Sequence, residues 1–78
     1  MWNKEQYIRV EKRDEKFVVD LMIIKQGYGA RLSTLPETGK TYREIIGKLK
    51  QKFQLKEVAL FGFYTIPHSE VRFYYADR

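Results

Sequence analysis

Most apolar stretches of this chain read with a period of two or as short continuous runs, and one stretch carries a period of 3.6 instead. Tyr42, Ile45, Ile46, Leu49 and Phe53 recur at i, i+3, i+4, i+7 and i+11. Coiled as a helix, residues 41–53 would gather these five side chains into one apolar stripe. Thr41 and Glu44 have the spacing of a capping box: the hydroxyl takes the N3 amide, and the carboxylate reaches back to the cap amide. Lysines accumulate toward the far end, where they suit the negative pole of the macrodipole. Gly47 falls away from the stripe and costs about 1 kcal/mol relative to alanine.

Everything else of length predicts strand. Residues 6–10 alternate, with Tyr7 and Arg9 opposed to Ile8 and Val10. Residues 12–15 are a charged turn. Residues 16–25 are rich in β-formers and largely apolar on both faces, so they predict a central strand of an antiparallel meander. Gln26, Gly27, Tyr28 and Gly29 form a turn, 30–34 a short strand, and 35–40 a loop begun by Pro36. After the helix, residues 58–66 and 71–75 are strands joined by a turn at 67–70. The expected fold is α+β, in the order β-β-β-α-β-β. One mainly antiparallel sheet of four to five strands would carry one amphipathic helix on one face.

A single helix cannot cover both faces of such a sheet. Alternation puts Val58, Leu60, Tyr64 and Ile66 on one side of their strand, with Ala59, Phe61 and Phe63 on the other. Val71, Phe73 and Tyr75 oppose Arg72 and Tyr74. An aromatic second face is therefore expected to meet a second subunit or a ligand, or to close on itself through strong sheet curl.

Length and composition narrow the class. Residues 1–78 make one small domain, able to bury only roughly 60% of the unfolded chain's surface. Cysteine is absent, which excludes disulfides, thiolate nucleophiles and cysteine-based zinc sites. The longest apolar run, 17–24, is broken by Asp20 and is far short of a membrane span. The first sixteen residues are charged throughout, unlike a signal peptide, so the expected location is cytoplasmic.

Charge is placed unevenly. Residues 40–56 hold six cations and one acid, which equals the whole formal net charge of +5. The basic excess thus rides on the helix and its flanks. On a helical projection, Arg43 and Lys50 flank one side of the apolar stripe, and Lys48 and Lys52 flank the other. These are two rows, and their aliphatic stems suit the rim of a core.

Motifs add little chemistry. Residues 35–39 spell LPETG, which resembles the sortase sorting signal, although that signal precedes a hydrophobic span and this one precedes an amphipathic helix. Gly39, Lys40 and Thr41 resemble the end of a Walker A loop, but Thr34 stands where its first glycine belongs. Phe61, Gly62, Phe63 and Tyr64, with Arg72, Phe73, Tyr74 and Tyr75, resemble the aromatic strands of RNA-recognition motifs, without the helix that fold needs between its first two strands. The early hairpin, short strand and helix are similar in order to PC4-type single-strand binders, and β-β-α-β-β is also the ubiquitin-like order; no motif residues support either. His68 is the only histidine and makes no metal site alone. Asp20, within an apolar strand, is the one unusual carboxylate; pairing with a cation or facing a solvent edge is expected over catalysis.

No catalytic residue, metal ligand or cofactor motif emerges. The sequence points to a small basic non-enzymatic binding module. One expectation is single-stranded DNA or RNA, held by Lys40, Arg43, Lys48, Lys50 and Lys52, with Tyr64, Arg72 and Tyr74 offering stacking surfaces if they lie on the open face. The alternative is a protein-interaction or homodimeric accessory or inhibitor protein, joined through the second face or an edge strand.

Overall fold

The computed structural model describes residues 6–36 and 38–77. Five strands and one helix follow in the order β1 (Gln6–Arg13), β2 (Lys16–Lys25), β3 (Tyr28–Leu35), α1 (Tyr42–Lys52), β4 (Glu57–Ile66) and β5 (Ser69–Asp77). All pairings are antiparallel, in one sheet ordered β3-β2-β1-β5-β4. The expected fold class is the observed one. As its two apolar faces predict, β2 is an inner strand, of the antiparallel β1-β2-β3 meander; the middle of the sheet is β1, because β5 returns to pair with the N-terminal strand.

Strands run closer to their turns than alternation alone predicts. Asp14 takes φ 55°, Gln26 and Gly27 take 53° and 85°, and His68 takes 66° after Pro67. Positive φ at both Gln26 and Gly27 matches the twist of a two-residue hairpin. Proline followed by a left-handed residue makes the β4–β5 turn type II. These tight reversals let the ladder continue through Arg13, Tyr28 and Ser69, which had read as turn.

The helix is capped at both ends by its own sequence. The Thr41 hydroxyl accepts the Glu44 amide at 3.1 Å. Glu44 accepts the Lys40 amide at 3.1 Å, so the box closes one residue before the cap rather than on it. At the other end, the Leu55 amide donates to Lys50 carbonyl at 2.8 Å and the Gln54 amide to Gln51 carbonyl at 3.3 Å. This is a Schellman motif with Gln54, not glycine, in the left-handed position at φ 53°.

The predicted stripe is the contact face. Ile45 and Leu49 are fully buried with Ile8, Val10, Val19, Leu55, Tyr74 and Ala76, while Tyr42, Ile46 and Phe53 pack at the margin. Register places Ile8 beside Leu21 and Tyr74, and Val10 beside Val19, on this helix-covered side. The apolar burial of Ile45 and Leu49 alone is worth roughly 1.5–3 kcal/mol each.

On the bare side the sheet buries one large ring without a helix. Tyr7 is 8% exposed. Its ring stands edge-on to Phe61 of β4, centroids 5.8 Å apart, and to Phe73 of β5 at 5.9 Å. Its hydroxyl lies 2.2 Å from where a Cβ on Gly29 of β3 would stand. One side chain of the middle strand thus reaches both edges, so the sheet curls around Tyr7.

Two substitutions check these statements by chemical denaturation. Nothing lies within 4 Å of a Cβ at Gly47. Gly47→Ala is expected to stabilise the domain by about 1 kcal/mol, a rise in Tm of roughly 4–8 °C. Gly29→Ala is expected to destabilise it by roughly 1–3 kcal/mol, and adding Tyr7→Phe, which removes the colliding oxygen, should recover most of that loss.

Candidate functional site

The helix-free face divides into a polar half and an aromatic half. A chain of polar contacts crosses four strands. Thr34 of β3 donates to Asp20 of β2 at 2.9 Å. Arg9 of β1 bridges Asp20 at 3.5 Å and Glu11 at 2.8 Å. Ser69 of β5 donates to the other oxygen of Glu11 at 3.1 Å, and Arg13 pairs with the same oxygen at 3.2 Å. Asp20 is buried, and its two partners make it a structural carboxylate. The Arg9 guanidinium and the Ser69 hydroxyl hold the Glu11 carboxyl below its ordinary range, with the Arg9 bond the largest cause.

Beside this network lie the rings. Phe61 stacks on Tyr75 with centroids 3.9 Å apart, and Phe73 lies 5.9 Å from Tyr64. They share a side because of a β-bulge. Leu60 pairs with Tyr74 but Gly62 pairs with Phe73, so Phe61 is an extra residue in β4. Beyond it the alternation inverts. Tyr64 and Ile66 join Phe61 on the bare face, while Phe63 and Thr65 turn to the side of the helix. The faces expected from strict alternation are corrected accordingly. Gly62, lying inside a strand pattern, was the available signal.

The outer end of β4 is covered on neither side. Leu60 and Phe63 are exposed on the helix side, Phe63 at 65%, and Phe61, Tyr64 and Ile66 on the other. From residue 58 to 66 the strand carries no charge. Edge strands of monomeric proteins are commonly guarded by lysine, proline or an inward charge. The opposite edge, β3, has Arg31 within it.

The predicted binding residues scatter. Arg43 and Lys50 are exposed on the helix, and Lys40 is exposed before it. Lys48 bonds the Thr38 carbonyl and pairs with Glu44 at 3.6 Å. Lys52 lies over the Phe53 ring at 5.7 Å. Tyr64 stands on the bare face, as a stacking surface requires. Tyr74 does not: it pairs with Ile8 and Leu60 under the helix and is buried. Arg72 is also on the helix side, with its guanidinium 4.0 Å from the Tyr42 ring centre and bonded to Glu70 at 3.0 Å. The cations of α1 and the exposed rings Phe61, Tyr64 and Tyr75 therefore lie on opposite sides of the sheet, while Phe63 is exposed on the helix side with the cations.

An open groove of about 660 Å³ lies where α1 begins, lined by Lys12, Lys40, Tyr42, His68, Glu70 and Arg72 among others. Tyr42 anchors its floor. Its hydroxyl donates to the Glu70 carbonyl at 2.9 Å and its ring meets Phe17 edge-on, centroids 5.0 Å apart. Burial, with Glu70 nearby, pushes the phenol up to about 12. Among the described residues, no three His, Asp or Glu side chains converge to hold a metal, and no helix is long and apolar enough to cross a membrane.

The chain matches no protein-family model, no curated protein and no solved structure.

Two pH effects follow from these contacts. The Glu11 carboxyl is depressed in the fold, so its contribution is present above the unfolded value near 4.5 and is lost as pH falls through the folded one. Glu11→Gln should flatten the acid limb of a stability profile measured by denaturant titration. The Tyr42 phenol is raised, so its contribution is full below pH of about 10 and fades as pH climbs toward about 12. Ultraviolet titration of phenolate should show one late tyrosine, absent in Tyr42→Phe.

Proposed function

We propose that this chain is a non-enzymatic binding module of the cytoplasm that docks on protein through the outer edge of β4 and the adjoining aromatic half of the bare face. One observation carries the reading. Exposed apolar side chains lie on both faces of β4 and meet around its uncharged edge. Aromatic residues with charge depleted at the centre are the composition of an interface core. On β1, Arg9, Arg13 and Glu11 supply charges of both signs beside the rings.

A second reading rests on the helix. Arg43, Lys50 and Lys56 are exposed and make no ion pair among the described residues. Such cations can follow the phosphates of single-stranded DNA or RNA, with affinity that falls steeply as salt rises. It ranks second because most of the exposed sheet rings, Phe61, Tyr64 and Tyr75, lie on the face opposite the helix cations, while Phe63 shares their side.

A photo-crosslinking residue placed in the full chain separates the readings in cells. At Phe63 it should yield protein adducts, and at Arg43 far fewer. Absence of protein adducts at Phe63, together with nucleic-acid adducts at Arg43, would reverse the order of the two.

A further inference from the structure

We infer that the protein seated on β4 is a second copy of this chain, paired antiparallel through the two β4 edges so that two five-stranded sheets become one of ten. The inference rests on the protein-docking reading above and names its partner.

Shape comes first. A partner lying flat on the bare face would cover Phe61, Tyr64 and Tyr75 but leave Leu60 and Phe63 in water. A partner on the helix side would do the reverse. The two sets join only around the free edge of β4. An occupant that covers both must straddle that edge, and a strand hydrogen-bonded to it does so. Its own side chains then alternate onto both faces beside those of β4.

Area is sufficient. Leu60, Phe61, Phe63, Tyr64, Ile66 and Tyr75 are 40–65% exposed. At roughly 200 Å² for a large side chain, they leave on the order of 600 Å² of apolar surface, before any backbone is counted. A standard interface takes about 800 Å² from each partner. A lone soluble chain seldom carries a contiguous patch above a few hundred Å².

Charge selects the second copy. Two chains of net charge +5 repel in general, and they can meet only where neither presents cations. The nine residues 58–66 contain none. About a two-fold axis centred within 58–66, each side chain near the centre lies beside another from the same uncharged run, so no like charges stand opposite there. The β3 edge fails this condition, since Arg31 would approach its own copy.

The test uses the absence of native cysteine. Sedimentation of the full chain from micromolar to submillimolar concentration should reach twice the 9.4 kDa chain mass. Phe63→Lys should return it to monomer with unchanged circular dichroism. Single cysteines introduced along 58–66 and oxidised should crosslink copies with a yield that peaks at one centre and falls to either side, as antiparallel self-pairing requires. Amides of β4 that point away from β5 should gain hydrogen-exchange protection as the wild-type chain is concentrated. A monomeric mass across that range, or a dimer whose cysteines crosslink without a single centre, overturns self-pairing. If Phe63 still forms adducts with a different protein in cells, the docking reading survives that failure; if it forms none, both fall.

Discussion

Burial of Ile45 and Leu49 against Ile8, Val10, Val19 and Tyr74 is the contact on which the rest of the structure depends. Among the described residues the sheet is a single layer with no second sheet to pack on. At 1.5 Å per residue, eleven helical residues make a rod of roughly 16 Å, against four inter-strand steps of about 4.8 Å across the sheet. The rod covers the middle of one face and little more. Both helix caps serve that placement. The Schellman turn aims Leu55 back into the core, and the Thr41–Glu44 box sets where the first turn starts. From Lys52 the chain needs only a few residues to enter β4 on the far edge.

What the helix leaves uncovered is handled differently from strand to strand. At the centre, Tyr7 is enclosed by its own neighbours, because glycine at position 29 and the bulge at Phe61 let the two edges approach one ring. Across β3, β2, β1 and β5 a satisfied polar network covers part of the bare face, with Asp20 and Glu11 sharing Arg9. Such a network is a cost in desolvation unless every member is bonded, and among the described residues no buried side-chain polar atom lacks a partner. Around β4 exposed apolar side chains lie on both faces of an edge that carries no charge from 58 to 66, and Val18, Ile24, Tyr28 and Leu32 are exposed on β2 and β3.

The separation of cations from rings bears directly on function. The basic surplus sits on the helix side, where several stems are already engaged: Lys48 with Thr38 and Glu44, Lys52 with Phe53. The exposed rings lie on and beside β4. Phe61, Tyr64 and Tyr75 lie across the sheet from these cations, and Phe63 shares their side.

The order of elements, the helix and its contact stripe, the Thr41 cap and the span of β2 were legible from residues alone, because they depend on local periodicity and on side chains three or four positions apart. Tyr42, Ile45, Ile46, Leu49 and Phe53 have one spacing, and that spacing has one helical face. The pairing of β5 with β1, the ring of Tyr7 reaching both edges and the burial of Tyr74 were not legible in this way. They depend on contacts between residues far apart along the chain, which no local pattern encodes. The inversion of β4 at Phe61 turned on a single unpaired residue, and one such residue moves every side chain after it to the other face. Sequence therefore determined which surfaces were apolar, and tertiary pairing decided which of them were covered.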